Sequence, residues 1–241
     1  MSGHSHWAGI KYKKGLEDAK RAQIFSKFSR LISIKAREKG GDPETNSELK
    51  MAIEKARRFN MPQENIERAI KKGTGEIEGG QLESLLIEAF GPGKIAILIE
   101  AITDNKNRTI AEIRHILEIY DGKIASGGVL WMFERKGVIE INQQEVEKNK
   151  EELEMLAIEA GADDIKWQDS TLEIYTKLED LNNVKNFLEE KGIKIENANL
   201  EFVPKEEIKI EDKSIKEKIE KLFEALDEHD DVQNIYSNMQ T

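Results

Sequence analysis

Lys11, Lys13 and Lys14 stand beside Trp7 and Tyr12 in a stretch, Ser2 to Gly15, that holds no acidic residue. Cations neutralise phosphates and aromatic rings stack on bases, so this combination suits contact with a nucleic-acid strand. Gly3, Gly9 and Gly15 weaken any helix there and let the backbone bend. His4 and His6, two residues apart, offer imidazoles to a metal, but no acidic residue within the arm completes a ligand set. His4 is therefore grouped with the nucleic-acid contacts.

A second grouping is Asp104-Asn105-Lys106-Asn107-Arg108-Thr109 with His115. Arg108 and His115 are seven apart and share a helix face opposite Ile113 and Leu117. With Asn107 and the free amides of a helix start, they form a candidate anion or partner site. The plainer reading is a capped helix with a solvated outer face. Gly73-Thr74-Gly75 opens like a dinucleotide fingerprint, but the third glycine falls at 79 and a helix precedes it, where the motif needs a strand. Asp163-Asp164 falls between a predicted helix and a predicted strand and reads as turn chemistry. No nucleophile–base–orienter set, paired-carboxylate site or P-loop is present, so no enzymatic activity, metal or cofactor is expected.

The element that must position the arm begins near Leu16. Phe25, Phe28, Ile32 and Ala36 recur at i, i+3, i+7 and i+11 and predict one apolar helix face. At about 100° per residue, Lys27, Arg30 and Arg37 come out roughly opposite it. The expected nucleic-acid set is therefore His4, Trp7, Lys11, Lys13, Lys14, Lys20, Arg21, Lys27 and Arg30.

Charge sharpens that expectation. The 241 residues carry a formal net charge of −10, which argues against a generic nucleic-acid coat. Residues 1–75 hold 17 Lys and Arg against 9 Asp and Glu, a balance of +8; residues 76–241 hold 20 against 38, a balance of −18. Such a chain would attract polyanions at one end and repel them elsewhere. It has no cysteine, which excludes disulfides, zinc–thiolate sites and a cysteine nucleophile. It shows no signal-type apolar segment, and no apolar run approaches the roughly 18–20 residues that cross a bilayer. The expectation is a soluble, cytoplasmic protein with no membrane contact.

Taken in order, Gly40-Gly41-Asp42-Pro43 separates the first helix from a second, about Ser47 to Phe59. Met61-Pro62 opens a third that ends at Gly73, and Lys72 to Gly80 reads as a linker. Two apolar runs around Gly91-Pro92-Gly93 predict a hairpin, followed by a helix and, after Asp121-Gly122, a third strand whose surest part is Val129 to Phe133. A β-α-β-β-α-β series follows, a ferredoxin-like unit. The tail offers one helix and one strand, Val232 to Tyr236, which would complete the middle sheet. The predicted class is α+β, with a three-helix bundle followed by two α/β (ferredoxin-like) domains, the second inserted into the first. The predicted boundaries are 1–78, 79–134 plus 206–241, and 135–205.

Four stretches resemble the YebC/PmpR family: GHSHWAGIKYKKGLEDAKRAQIFSKFSR, GGDPETNSELKMAIEKARRFNMPQENIERAIKKGTGE, FGPGKIAILIEAITDNKNRTIAEIRH and DDVQNIYSN. The resemblance implies a helical domain followed by two α/β domains, one inserted in the other. It also implies a cytoplasmic transcriptional regulator that binds DNA. Relatives also resemble translation factors that help the ribosome through runs of prolines. No catalytic activity, metal or organic cofactor comes with the family. Lys11, Lys14, Lys20 and Arg21 match its pattern; His6, Gly9 and Tyr12 stand where lysine, asparagine and histidine are common.

The sequence thus predicts a non-enzymatic, nucleic-acid-binding regulator of gene expression whose acidic domains serve as body and as a surface for protein partners. A ribosome-associated factor that contacts ribosomal RNA and relieves stalling at proline runs is the alternative. The charge polarity and the lack of a recognisable helix-turn-helix frame lean toward it. A scaffold that binds only protein is the third reading.

Overall fold

The structure, a computed structural model, describes residues 18–78 and 80–240. Its first elements are three helices, α1 (Asp18–Lys39), α2 (Ser47–Arg58) and α3 (Gln63–Thr74). Phe28, Ile32 and Ala36 of α1 are buried with Leu49, Ile53 and Ala56 of α2 and Ile66 and Ala69 of α3, and Phe25 packs at the edge. Asn46 fixes the joint between α1 and α2. Its carboxamide oxygen accepts the Leu49 amide at 3.0 Å and its nitrogen donates to the carbonyls of Lys35 and Gly40 at 2.9 and 2.8 Å. One buried side chain therefore caps one helix and ends another.

The third helix runs past Gly73 and ends on Gly75, which takes the left-handed conformation at φ 81°. Gly73 has a different task from the one its position suggested. A Cβ there would stand 2.2 Å from the Ser33 carbonyl oxygen, so glycine lets α3 lie directly on α1. Ser33 Oγ donates across the same contact to the Ala69 carbonyl at 2.8 Å.

The first sheet has the order β3-β1-β2-β8. It comprises β1 (Glu83–Phe90), β2 (Ala96–Thr103), β3 (Lys123–Ile124) and β8 (Val232–Ser237), with helices α4 (Lys106–Ile119) and α7 (Lys213–Asp227). The apolar run of β2 follows from its place: seven of its eight residues are buried between β1 and β8. The third strand opens after Asp121-Gly122, as expected, but stops after two residues. Val129–Phe133 is no strand of this sheet; Lys123 and Ile124 pair with Phe90 and Ala89. Gly128 turns the chain at φ 74°, the Glu88 carboxylate accepts the Val129 amide, Leu130–Met132 form a 3-10 turn, and Phe133 already opens the next sheet. Of this apolar run only Val129 and Phe133 are buried, Leu130 and Trp131 are exposed, and Phe133 pairs with Pro204 in the second sheet, so apolar composition here marks neither a strand nor a continuous buried segment.

The second sheet has the order β5-β6-β4-β7, with every neighbouring pair antiparallel. It comprises β4 (Phe133–Asn142), β5 (Asp164–Gln168), β6 (Thr171–Thr176) and β7 (Asn197–Pro204), with α5 (Lys150–Glu159) and α6 (Leu181–Glu190). This is the ferredoxin-like arrangement that the β-α-β-β-α-β series predicts. Ile139 and Ile141 oppose Ile174 and Leu172, and all four are buried, as are Leu153 and Ala157 of α5 and Leu181, Val184 and Leu188 of α6. The first sheet uses the same number of strands and helices with its hairpin at the centre. The fold class is the predicted one: a helical region, then two sheet-containing regions, in an α+β chain.

The described residues gather into two units, 18–129 with 210–235, and 130–209 with 236–240. The helical region and most of the first sheet thus share one unit.

Candidate nucleic-acid interface

Helix α1 carries two stripes beyond its aromatic face. Ile34 is buried and Leu31 is partly buried, so the helix is covered on more than one side. A polar stripe of Gln23, Lys27 and Arg30, at i, i+4 and i+7, meets the acidic turn Asp227-Glu228-His229-Asp230-Asp231 that joins α7 to β8. Gln23 Nε2 donates to the Glu228 carbonyl at 2.6 Å and to Asp230 Oδ1 at 3.2 Å. Lys27 Nζ donates to the Asp227 carbonyl at 2.6 Å and lies 3.6 Å from that residue's Oδ1. Arg30 Nη1 donates to the Asp230 carbonyl at 2.8 Å and pairs with Asp231 Oδ1.

Asp231 is the hub of this contact. Its side chain is 3% exposed, and its Oδ2 accepts the Thr109 hydroxyl at 2.6 Å and Arg108 Nη2 at 3.0 Å. Burial alone would push its carboxyl up; the hydrogen bonds from Thr109 and Arg108 and the charge of Arg30 outweigh burial and hold it below the ordinary value. The Asp231 amide donates to His229 Nδ1 at 3.1 Å, which leaves the proton on Nε2, 2.9 Å from Glu112 Oε2.

Two expectations change accordingly. Lys27 and Arg30 do lie off the aromatic face, but their cationic groups meet carbonyls and carboxylates of the turn 227–231 and keep only part of their surface open. Arg108, expected at an anion or partner site, is engaged by acids. It touches Asp231 and, at 3.1 and 3.8 Å, Asp104 and Glu112, while Asn105 caps the start of α4 by accepting the Arg108 amide at 3.1 Å. Three carboxylates would repel an incoming anion. Asn107 and His115 are exposed on α4 and are not drawn into this cluster. Glu112, His229 and Asp231 bring ligand atoms within 4.8 Å of one another. Their donors are already committed, and two guanidinium groups adjoin them, so the grouping suits a metal poorly.

His4, Trp7, Lys11, Lys13 and Lys14 lie outside the described residues. Lys20 and Arg21 are exposed at the start of α1. The cations of α3 extend this set beyond the residues that the sequence pattern singles out. Arg37 at the end of α1 and Arg68, Lys71 and Lys72 on α3 are exposed and, with Lys20, make no ion pair among the described residues. Arg68, Lys71 and Lys72 fall at i, i+3 and i+4, and that spacing was the available signal. Other cations are answered locally: Lys35 and Lys39 both reach Glu48 at 2.6 Å. Burial would raise the Glu48 carboxyl, but the two ammonium groups bring it down to about 2.

A helical region with cations that meet no carboxylate among the described residues, followed by two four-stranded sheets, defines the class: an α+β protein whose net positive charge lies in residues 1–75. The family profile described as the TACO1/YebC protein N-terminal domain matches residues 5–76, and that of the TACO1/YebC second and third domain matches residues 82–239. A protein named "probable transcriptional regulatory protein" from Pseudothermotoga lettingae is 51% identical over 241 residues, covering 100% of this chain and 94% of the relative. Another of the same name from Halothermothrix orenii is 49% identical over 239 residues, covering 99% and 94%. The crystal structure of a conserved hypothetical protein from Aquifex aeolicus matches with a TM-score of 0.88 and 46% identity, covering 98% of this chain and 97% of that one. The chain belongs to the TACO1/YebC family.

Proposed function

We propose that this protein is a non-enzymatic, cytoplasmic regulator of gene expression that binds nucleic acid through its N-terminal arm and helical region, without a cofactor. The charge polarity carries the reading: a balance of +8 over residues 1–75 against −18 over the remainder, with Lys20, Arg37, Arg68, Lys71 and Lys72 exposed and without an ion pair among the described residues. Such a surface attracts phosphate locally and keeps the acidic body away from it. The regulator naming of the relatives supports the same reading. Lys11, Lys13 and Lys14 would add phosphate contacts and Trp7 a stacking platform, with the acidic regions left to protein partners.

One observation favours structured RNA at the ribosome over site-specific duplex DNA. A recognition helix presents its first turns to the bases, and the first half of α3 exposes Glu64 and Glu67. Fluorescence anisotropy on a random duplex and on a looped RNA, across a salt series, tests both readings. Replacing Lys11, Lys13 and Lys14 by alanine should lower the salt slope by up to about one unit per lysine in contact. Trp7→Ala should weaken looped RNA binding by about 1–3 kcal/mol and leave the slope alone. A lysine variant that binds like the parent at every salt concentration would leave the protein-only scaffold as the better reading.

A further inference from the structure

We infer that the acidic turn 227–231 is an intramolecular stand-in for phosphate that keeps part of the basic region out of use. The inference rests on the nucleic-acid reading and concerns the regulation of that same site. Three α1 side chains with the chemistry of a phosphate contact, one amide and two cations, all end on this turn. Gln23 reaches the Glu228 carbonyl at 2.6 Å, Lys27 reaches the Asp227 carbonyl at 2.6 Å, and Arg30 reaches the Asp230 carbonyl at 2.8 Å and the Asp231 carboxylate. The turn holds four acidic residues in five, and Glu228 and Asp230 are exposed.

The two ends of the contact are built differently. Asp231 is buried and anchored by Thr109 and Arg108, so it belongs to the fold. Asp227 and Asp230 each reach α1: Asp227 Oδ1 stands 3.6 Å from Lys27, and Asp230 Oδ1 3.2 Å from Gln23. Carboxylates at these separations near a surface lower the potential that a nucleic-acid phosphate would feel from Lys27 and Arg30. Their side chains are 14% and 26% exposed, so both cations reach the surface. The turn therefore sets how many cations the helical region offers to a polyanion. With the turn intact, binding uses the arm and the unanswered cations; with Asp227 and Asp230 neutralised, Lys27 joins them, while Arg30 stays on Asp231.

The test is a double-mutant cycle read by anisotropy on random duplex DNA and on looped RNA, using the full chain. Asp227→Asn with Asp230→Asn should raise affinity about fivefold at low salt and steepen the salt slope by about 0.7–0.9 for the one ammonium released. Lys27→Gln should change little in the parent and should remove most of the gain in the Asn variant, since the gain runs through that ammonium. Glu147→Gln with Glu151→Gln removes the same charge from exposed positions in the second unit and should give less than a twofold gain. Equal gains from both pairs, or a gain that survives Lys27→Gln, would overturn the inference. Failure of the parent and every variant to bind either probe would defeat the nucleic-acid reading itself, whereas a parent that binds with no gain in the Asn variant defeats the latch alone. Unchanged far-ultraviolet circular dichroism and melting temperature in the Asn variant would show that affinity, and not folding, has been altered.

Discussion

Two sets of cations on the helical region look alike in sequence and differ in what answers them. Lys27 and Arg30 of α1 end on the turn between α7 and β8, whereas Arg68, Lys71 and Lys72 at the end of α3 meet no carboxylate among the described residues. The first set helps hold the fold together. The second leaves its charge to solvent and to whatever polyanion arrives. A cation opposite an apolar stripe is thus not necessarily a solvent-facing one: α1 is covered by α2 and α3 on one side and by the acidic turn on another.

The comparison breaks most visibly at its hub. Asp231→Ala leaves Arg30 and Arg108 without their buried carboxylate and removes the acceptor for Thr109, and should cost about 3 kcal/mol in a denaturant titration. The triple variant Arg68→Ala, Lys71→Ala, Lys72→Ala touches exposed side chains only and should shift stability by no more than about 0.5 kcal/mol. Comparable losses in the two would mean that α3 is answered after all.

A smaller effect should appear in acid. Glu48 and Asp231 both have folded values below their ordinary ones, so the stability they contribute is present above the unfolded values, 4.5 and 3.8, and is lost as pH falls through the folded ones. For Glu48 that window runs from about 4.5 down to about 2. Melting temperature should therefore drop steadily across it. Glu48→Gln should remove about 2 kcal/mol at neutral pH and make the acid limb shallower. An acid limb as steep in that variant as in the parent would place the titration elsewhere. Gly73→Ala should lie in the same range, about 1–3 kcal/mol, because its Cβ would meet the Ser33 carbonyl oxygen and push α3 off α1.

The sequence makes the fold far more legible than the site. Strict periodicity marks α1 through Phe25, Phe28, Ile32 and Ala36, and the β-α-β-β-α-β series marks the second sheet, because burial on one side leaves a repeating apolar trace. The pairing of β8 with β2 follows from counting, since a lone strand has nowhere else to go. The two-residue β3 leaves no such trace, while Val129–Phe133 leaves an apolar one without being paired in the first sheet. The contacts of Lys27 and Arg30 span 200 residues or more, and no local pattern announces them. The aromatic stripe does not announce the second covered side of α1, where Ile34 is buried and Leu31 partly buried. The unanswered cations of α3 stood in plain view at i, i+3 and i+4, but charge on a helix surface gains meaning only when its neighbours are known.

The most direct test of the central claim is the salt dependence of nucleic-acid binding in three proteins: the parent, Lys27→Gln, and the Arg68→Ala, Lys71→Ala, Lys72→Ala variant. The account predicts that Lys27→Gln keeps the parental slope of log K against log salt, and that the triple variant loses about 0.7–0.9 for each cation that contacts phosphate. A triple variant with the parental slope, beside a flattened slope in Lys27→Gln, would contradict it.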